Sequence, residues 1–306
     1  MSKIPPMYEF IVWSNCNNNC KFCWQKKLNK PETILSSDEK VQALDDVIAK
    51  INTLPYSDVL VVGGEAYLPQ GDAVNKKLKE LFQTVANRIK KGKMRYFYMN
   101  TNLLYTDFVN IDAMYAAFRG IYDHLKFTTS WDPYGRFANE NMSRMVMKNA
   151  KRISEKYPGV NVVINVIITK QFHDMYLSKE DTGDKSFNIN EANRKEPREN
   201  TPSNKTYVHL IPYIPVEDDR SMDVTFGEIV ACLEKADKQL PGYLDNYCRN
   251  FDLDQDKFLY EYQRGKGFVE CAAPLAECGH NSNFKRVIDG NKCFICEMKD
   301  YMKDRL

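Results

Sequence analysis

The sequence predicts an α/β fold: a parallel sheet with helices packed outside it, followed by a small cysteine-rich C-terminal unit. Three observations predict it. Strand-like and helix-like segments alternate in order along residues 1–240, the pattern that builds a parallel sheet through crossover connections. The strand segments are apolar throughout, which suits a sheet covered on both faces or curled into a barrel. The unusual polar residues gather where those segments end, and such folds carry their chemistry at the carboxyl ends of the strands.

The first strand is "YEFIVWS", Tyr8 to Ser14. A helix follows over Ser37 to Ile51, with Ser37 as its cap and Val41, Leu44, Val47 and Ile48 at helical spacing. "DVLVVGGE" is a short apolar second strand ending in Gly63 and Gly64, followed by a helix from Ala73 to Lys90. "RYFYMNTN" is the third strand, with a helix over Ile111 to Phe118, and "HLKFTTSWD" the fourth, with a helix over Asn139 to Tyr157. "NVVINVIIT" is the fifth and "YVHLIPYIPV" the sixth, with a helix from Thr225 to Leu240. Between the last two strands, Ser178 to Lys205 is polar and rich in Asn, Lys and Glu, and reads as a solvated insertion or a lid. Residues 241–306 form the appended unit.

Composition bounds the function. A chain of 306 residues with 43% hydrophobic content is globular and large enough for one core plus a small addition. A net charge of +2, without a basic stripe, argues against a long nucleic-acid footprint. "MSKIPPMYEF" lacks the apolar centre of a secretory signal, and "VNVVINVIIT" is too short to cross a bilayer. We therefore expect a soluble, cytoplasmic protein without membrane partners.

The nine cysteines fall unevenly. Without a secretion signal, such clusters point to metal rather than to disulfides. Cys232 sits on the apolar side of a helix pattern and reads as a small buried hydrophobe. Cys248 has no evident place. Cys16, Cys20 and Cys23 lie in "CNNNCKFC", straight after the first strand. Asparagine turns leave these thiols in a loop. Thiolates suit iron–sulfur clusters and zinc, but structural zinc is closed by four ligands and only three are local. A [4Fe–4S] cluster normally takes four cysteines, so three would leave one iron open at the mouth of a strand-end cleft.

This stretch resembles the signature of the radical S-adenosylmethionine (radical SAM) enzymes, a CxxxCxxC loop after the first strand with an aromatic residue, here Phe22, before the last cysteine. The resemblance implies a partial (β/α)6 barrel. It implies a [4Fe–4S] cluster on Cys16, Cys20 and Cys23 whose open iron chelates SAM. Reductive cleavage of SAM would yield a 5′-deoxyadenosyl radical that abstracts hydrogen from a substrate, an oxidoreductase-type chemistry fed by an external donor of the flavodoxin or ferredoxin type. "GGE", Gly63 to Glu65, is similar to the motif that meets the SAM amino group. Glycine permits close backbone approach, and a carboxylate can pair with an ammonium. Ser130 and Asp132 in "TTSWDP" resemble an SxD pattern of the peptide-modifying branch, with Arg144, or its competitor Arg136, as the partner of the SAM carboxylate. Asn165, on the fifth strand, would contact the ribose. Ile211 and Pro212 lie where the adenine could rest.

The C-terminal unit carries Cys271, Cys278, Cys293 and Cys296, with a hairpin signal, "IDGNKC", inside it. It resembles the SPASM or twitch extension of radical SAM enzymes, and four cysteines match the smaller, twitch-like form with a second [4Fe–4S] cluster. Zinc is the competing occupant, since these cysteines would also satisfy a tetrahedral site. The resemblance favours a peptide or protein side chain as substrate. The alternatives are a nucleobase, a hypermodified DNA base or a small metabolite and, from another class, a noncatalytic metal-binding interaction protein.

Overall fold

The computed structural model describes residues 5–20, 23, 34–132, 140–178, 206–212, 224–248, 259–263, 267–270, 287–289, 292–293 and 301. Six parallel strands run in sequence order across a sheet: β1 (Met7–Ile11), β2 (Ser57–Val62), β3 (Met94–Asn100), β4 (Leu125–Trp131), β5 (Asn161–Ile168) and β6 (Thr206–Pro212). Helices α1 (Ser37–Thr53), α2 (Asp72–Lys90), α3 (Val109–Ala117), α4 (Glu140–Lys156), α5 (Lys170–Ser178) and α6 (Phe226–Gln239) alternate with them. The architecture is the α/β one expected from the sequence.

Local chemistry sets the helix ends. Ser36, one residue before the expected cap, accepts from the Glu39 N–H while Glu39 accepts from the Ser36 N–H, a reciprocal capping box. Thr225 and Glu228 do the same for α6. In α2 the buried Val74, Leu78, Leu81, Phe82, Val85 and Ile89 keep one face on the sheet. Alternation along the strands splits the sheet into two faces. Phe10, Val59, Val61, Phe97, Met99 and Phe127 are wholly buried in the hydrophobic core. Glu9, Tyr98 and Asn165, on the opposite face, are half-buried.

Two departures from the sequence reading matter. Helix α5, "KQFHDMYLS", stands between the fifth and sixth strands, directly ahead of the polar stretch; its Phe172 and Tyr176 are buried and stacked, 5.3 Å between ring centroids. Of the expected insertion, Ser178 to Lys205, Ser178 ends α5 and residues 179–205 lie outside the described residues. Two further strands, β7 (Leu259–Gln263) and β8 (Gly267–Glu270), extend the sheet beyond β1, giving the order β6-β5-β4-β3-β2-β1-β7-β8. β7 pairs parallel with β1, Glu9 beside Glu261, and β8 returns antiparallel. The C-terminal unit thus begins by covering an edge that β1 would otherwise expose. Among the described residues β6 pairs with β5 alone, so the barrel is open. At that edge the Leu210 N–H donates to the Tyr243 hydroxyl at 2.9 Å. Further on, β9 (Val287–Asp289) and β10 (Lys292–Cys293) pair antiparallel at the expected hairpin.

Cys232 is wholly buried on α6, where burial pushes its thiol up to about 12. Cys248 is equally buried, in a helical segment over 243–248. Both belong to the core.

Candidate active site at the carboxyl ends of the strands

The first strand ends earlier than its sequence suggests because the chain leaves the ladder after Ile11 to cross the end of β2. The Gly64 N–H donates to the Trp13 carbonyl and the Glu65 N–H to the Asn15 carbonyl, both at 2.8 Å. This crossing requires the glycines. A Cβ on Gly64 would stand 2.1 Å from the Asn15 carbonyl oxygen and 2.2 Å from that of Ser14; on Gly63 it would stand 2.7 Å from the Trp13 carbonyl oxygen. The "GGE" motif is thus a backbone cradle for the entry to the cysteine loop.

The loop and the strand ends enclose a cavity of about 200 Å³. All three thiols of the loop line it, together with Gly63, Gly64, Glu65 and Ser130. Glu9, Asn18 and the Asn100-Thr101-Asn102 run complete much of the wall. Of the other residues singled out in the sequence, Asn165 is half-buried on β5 in register with Ser130. Asp132 is wholly buried just past β4, and Arg144 is exposed on α4; neither is among the described lining residues. Phe22, Arg136, Cys271, Cys278 and Cys296 lie outside the described residues, and Cys293 ends β10.

Glu65 is 2% exposed. Its carboxylate accepts from the Thr101 hydroxyl at 2.8 Å, the Asn102 N–H at 2.5 Å and the Tyr67 N–H at 3.3 Å. Hydrogen bonds of this kind favour a carboxylate over its protonated form. Burial first, then the Glu65 charge, raises the hydroxyls of Tyr67 and Tyr105 well above the usual tyrosine range. For Cys16, burial is the largest influence and pushes the thiol up. The Asn18 N–H opposes it, the charges of Glu65 and Cys23 add to it, and the Asn102 amide opposes it.

Sequence reasoning missed the asparagines as working groups. The Asn18 N–H points at Cys16 Sγ at 3.4 Å, and its side-chain amide donates to Cys20 Sγ at 3.2 Å. The Asn102 amide donates to Cys16 Sγ at 3.6 Å and to Asn17 Oδ1 at 2.7 Å. Asn17 in turn donates to the Leu104 carbonyl at 2.8 Å. Polar residues at 100–102, closing a buried strand, were the available signal. Three thiols on one cavity wall, with amide N–H groups directed at sulfur, fit an iron–sulfur cluster, whose sulfurs accept such bonds.

A second cluster of possible metal ligands, His173, Asp174 and Glu228, has donor atoms within 4.8 Å of one another. The Lys170 ammonium already bridges Asp174, at 3.1 Å, and Glu228. A cation would have to displace it.

The sheet order, the crossover helices and the strand-end cavity fit an incomplete (β/α)6 barrel, and comparison with solved structures bears out that fold. The chain superposes on native anSMEcpe with bound AdoMet with a TM-score of 0.54 and 16% identity, over 87% of this chain and 75% of that one. It superposes on Streptococcus suis SuiB bound to S-adenosylmethionine with a TM-score of 0.50 and 14% identity, over 99% of this chain and 67% of that one. No protein-family model and no curated protein matches the sequence. No helix among the described residues is long and apolar enough to cross a membrane.

Proposed function

We propose that this protein is a radical SAM enzyme that modifies a peptide or protein side chain. The observation that supports it is the meeting of Cys16, Cys20 and Cys23 with the Gly63-Gly64-Glu65 turn on the wall of one strand-end cavity. The shared fold with two proteins that hold S-adenosylmethionine agrees with it. The three cysteines would hold a [4Fe–4S] cluster. Such a cluster would supply the electron for reductive cleavage of SAM.

The chain's own residues supply the setting. The Gly63–Gly64 cradle fixes the loop that carries the thiols. Glu65, whose carboxylate accepts from Thr101, Asn102 and Tyr67, would favour the cationic cosubstrate at this end of the barrel. Ser130 and Asn165 stand in register across β4 and β5 as candidate hydrogen-bonding groups for the ribose. The described wall contains Glu9 and Glu65 and no lysine, arginine or histidine. That favours a peptide over a nucleotide or nucleic acid, whose phosphates would meet carboxylates.

For the C-terminal unit, we read Cys271, Cys278, Cys293 and Cys296 as ligands of an auxiliary cluster. Reconstituted protein should then carry about eight irons, and about four after replacement of Cys293 and Cys296. Stoichiometric zinc with four irons would replace that cluster by a zinc site and leave the SAM chemistry standing. The principal test is anaerobic incubation of the reconstituted protein with SAM and dithionite. Formation of 5′-deoxyadenosine is expected. Its absence from protein with an intact, reducible cluster would reject the radical reading in favour of a noncatalytic metal protein.

A further inference from the structure

We propose that the side-chain amides of Asn102 and Asn18 are positioning groups that set the reduction potential of the cluster held by the cysteine loop. This rests on the radical-enzyme reading above and goes beyond it. It assigns a task to residues that touch neither SAM nor substrate in that reading.

Each amide reaches a different sulfur. Asn18 Nδ2 lies 3.2 Å from Cys20 Sγ, and Asn102 Nδ2 lies 3.6 Å from Cys16 Sγ. Reduction of an iron–sulfur cluster adds negative charge that is partly borne by its sulfurs. An N–H directed at sulfur stabilises the reduced form more than the oxidised one and raises the potential. A cluster that an external donor must reduce gains from that direction.

The Asn102 amide is held far more firmly than a loop side chain ordinarily is. Its Oδ1 accepts from the Leu104 N–H at 2.8 Å, and its backbone N–H is clamped by Glu65. The next residue, Leu103, is wholly buried with φ 55, in the left-handed region and the single such non-glycine among the described residues. That backbone is strained for a residue with a Cβ. It persists because Asn149 of α4, itself 4% exposed, donates to the carbonyls of both Leu103 and Tyr105 at 2.8 Å. A strained turn braced from a neighbouring helix is what keeps the amide aimed at Cys16, 86 residues away in sequence.

The test is a redox titration followed by electron paramagnetic resonance on anaerobically reconstituted protein. It compares wild type with Asn102→Asp, Asn18→Asp and Asn17→Asp. The first two keep the Oδ1 acceptors used by the Leu104 and Asn19 N–H groups and lose the donor to sulfur. Asn17→Asp adds the same charge beside Cys16 and keeps the acceptor for Asn102 while losing only its own bond to the Leu104 carbonyl, so it serves as the charge control. Relative to Asn17→Asp, Asn102→Asp is expected to lower the reduced-to-oxidised ratio at fixed potential about tenfold, or about 59 mV for one electron. Equal potentials in Asn102→Asp and Asn17→Asp, with the wild-type iron content in each, would overturn the proposal. Should Asn102→Asp not retain the wild-type iron content, Asn18→Asp decides by the same criterion. A wild-type protein that binds no cluster refutes the radical reading and this inference together. A wild type with a cluster but unaltered potentials in the variants refutes this inference alone.

Discussion

Two buried carboxylates flank β2, one at its start and one just past its end, and they are treated in opposite ways. Asp58 is wholly buried and meets Arg95 in a two-pronged ion pair, 3.0 Å to Nε and 2.6 Å to Nη2, with a further bond from the Tyr96 N–H. That hydrogen-bonded pairing raises the Arg95 guanidinium above its ordinary value. Lys126 and Arg95 both lie over the Tyr96 ring, so this end of the sheet is closed by contacts that satisfy one another. Glu65 is held by a hydroxyl and two backbone N–H groups, and its charge acts on Cys16, Tyr67 and Tyr105. A carboxylate matched by a guanidinium is a structural fastening. A carboxylate held by a hydroxyl and backbone N–H groups beside a cavity can also meet a cationic ligand. On the proposed function, the difference separates an end of the barrel that stabilises from an end that binds.

The comparison can be broken in several places. Replacing Cys16, Cys20 and Cys23 together by alanine should remove about four irons per chain and all SAM cleavage. Undiminished formation of 5′-deoxyadenosine would refute the site. Gly64→Ala comes next. Its Cβ would overlap the Asn15 and Ser14 carbonyls, so the cysteine loop must shift, and iron content after reconstitution should fall close to that of the triple variant. A Gly64→Ala protein with full iron content would show that the cradle is dispensable.

Asp58→Asn should cost about 3 kcal/mol of folding stability. This is the low end for breaking a buried pair, because Arg95 remains 28% exposed. Chemical denaturation measures it, and SAM affinity should not change. Glu65→Gln should invert that pattern. Loss of a charge-assisted contact of about 1.5 kcal/mol weakens SAM binding roughly tenfold, as read by calorimetry with the cluster intact. If Asp58→Asn weakened SAM binding more than Glu65→Gln did, the assignment of the two ends would be wrong. The smallest effect is expected for Ser36→Ala, which removes one side of the α1 capping box. It should lower stability by about 1 kcal/mol and leave iron content and SAM binding as they are.

Much of this site was legible before the structure. "CNNNCKFC" marks the loop because three thiols among asparagines cannot pass for core. "GGE" marks the next strand end because two glycines after an apolar run demand a close approach. The approach proved to be that of the chain's own backbone at Trp13 to Asn15, which no local pattern could show. Helix α5 escaped notice because it is nine residues long and runs straight into a polar stretch. Strands β7 and β8 escaped because "LYEYQ" and "GFVE" are too short for periodicity to speak.

The sequence by itself determined the succession of the six parallel strands and of the helices between them except α5, and the end of the sheet where the three thiols gather. These follow from local spacing: a period of two or of 3.6, a cap, a turn, and cysteines a few residues apart. The tertiary structure alone decided that β7 seals the edge of β1, that Glu65 is anchored by Thr101 and Asn102, and that an asparagine 86 residues beyond Cys16 directs its amide at that sulfur. Each of these is a contact between segments distant in the chain. Its energy depends on distances that exist only once the sheet has assembled, so no local run of residues encodes it.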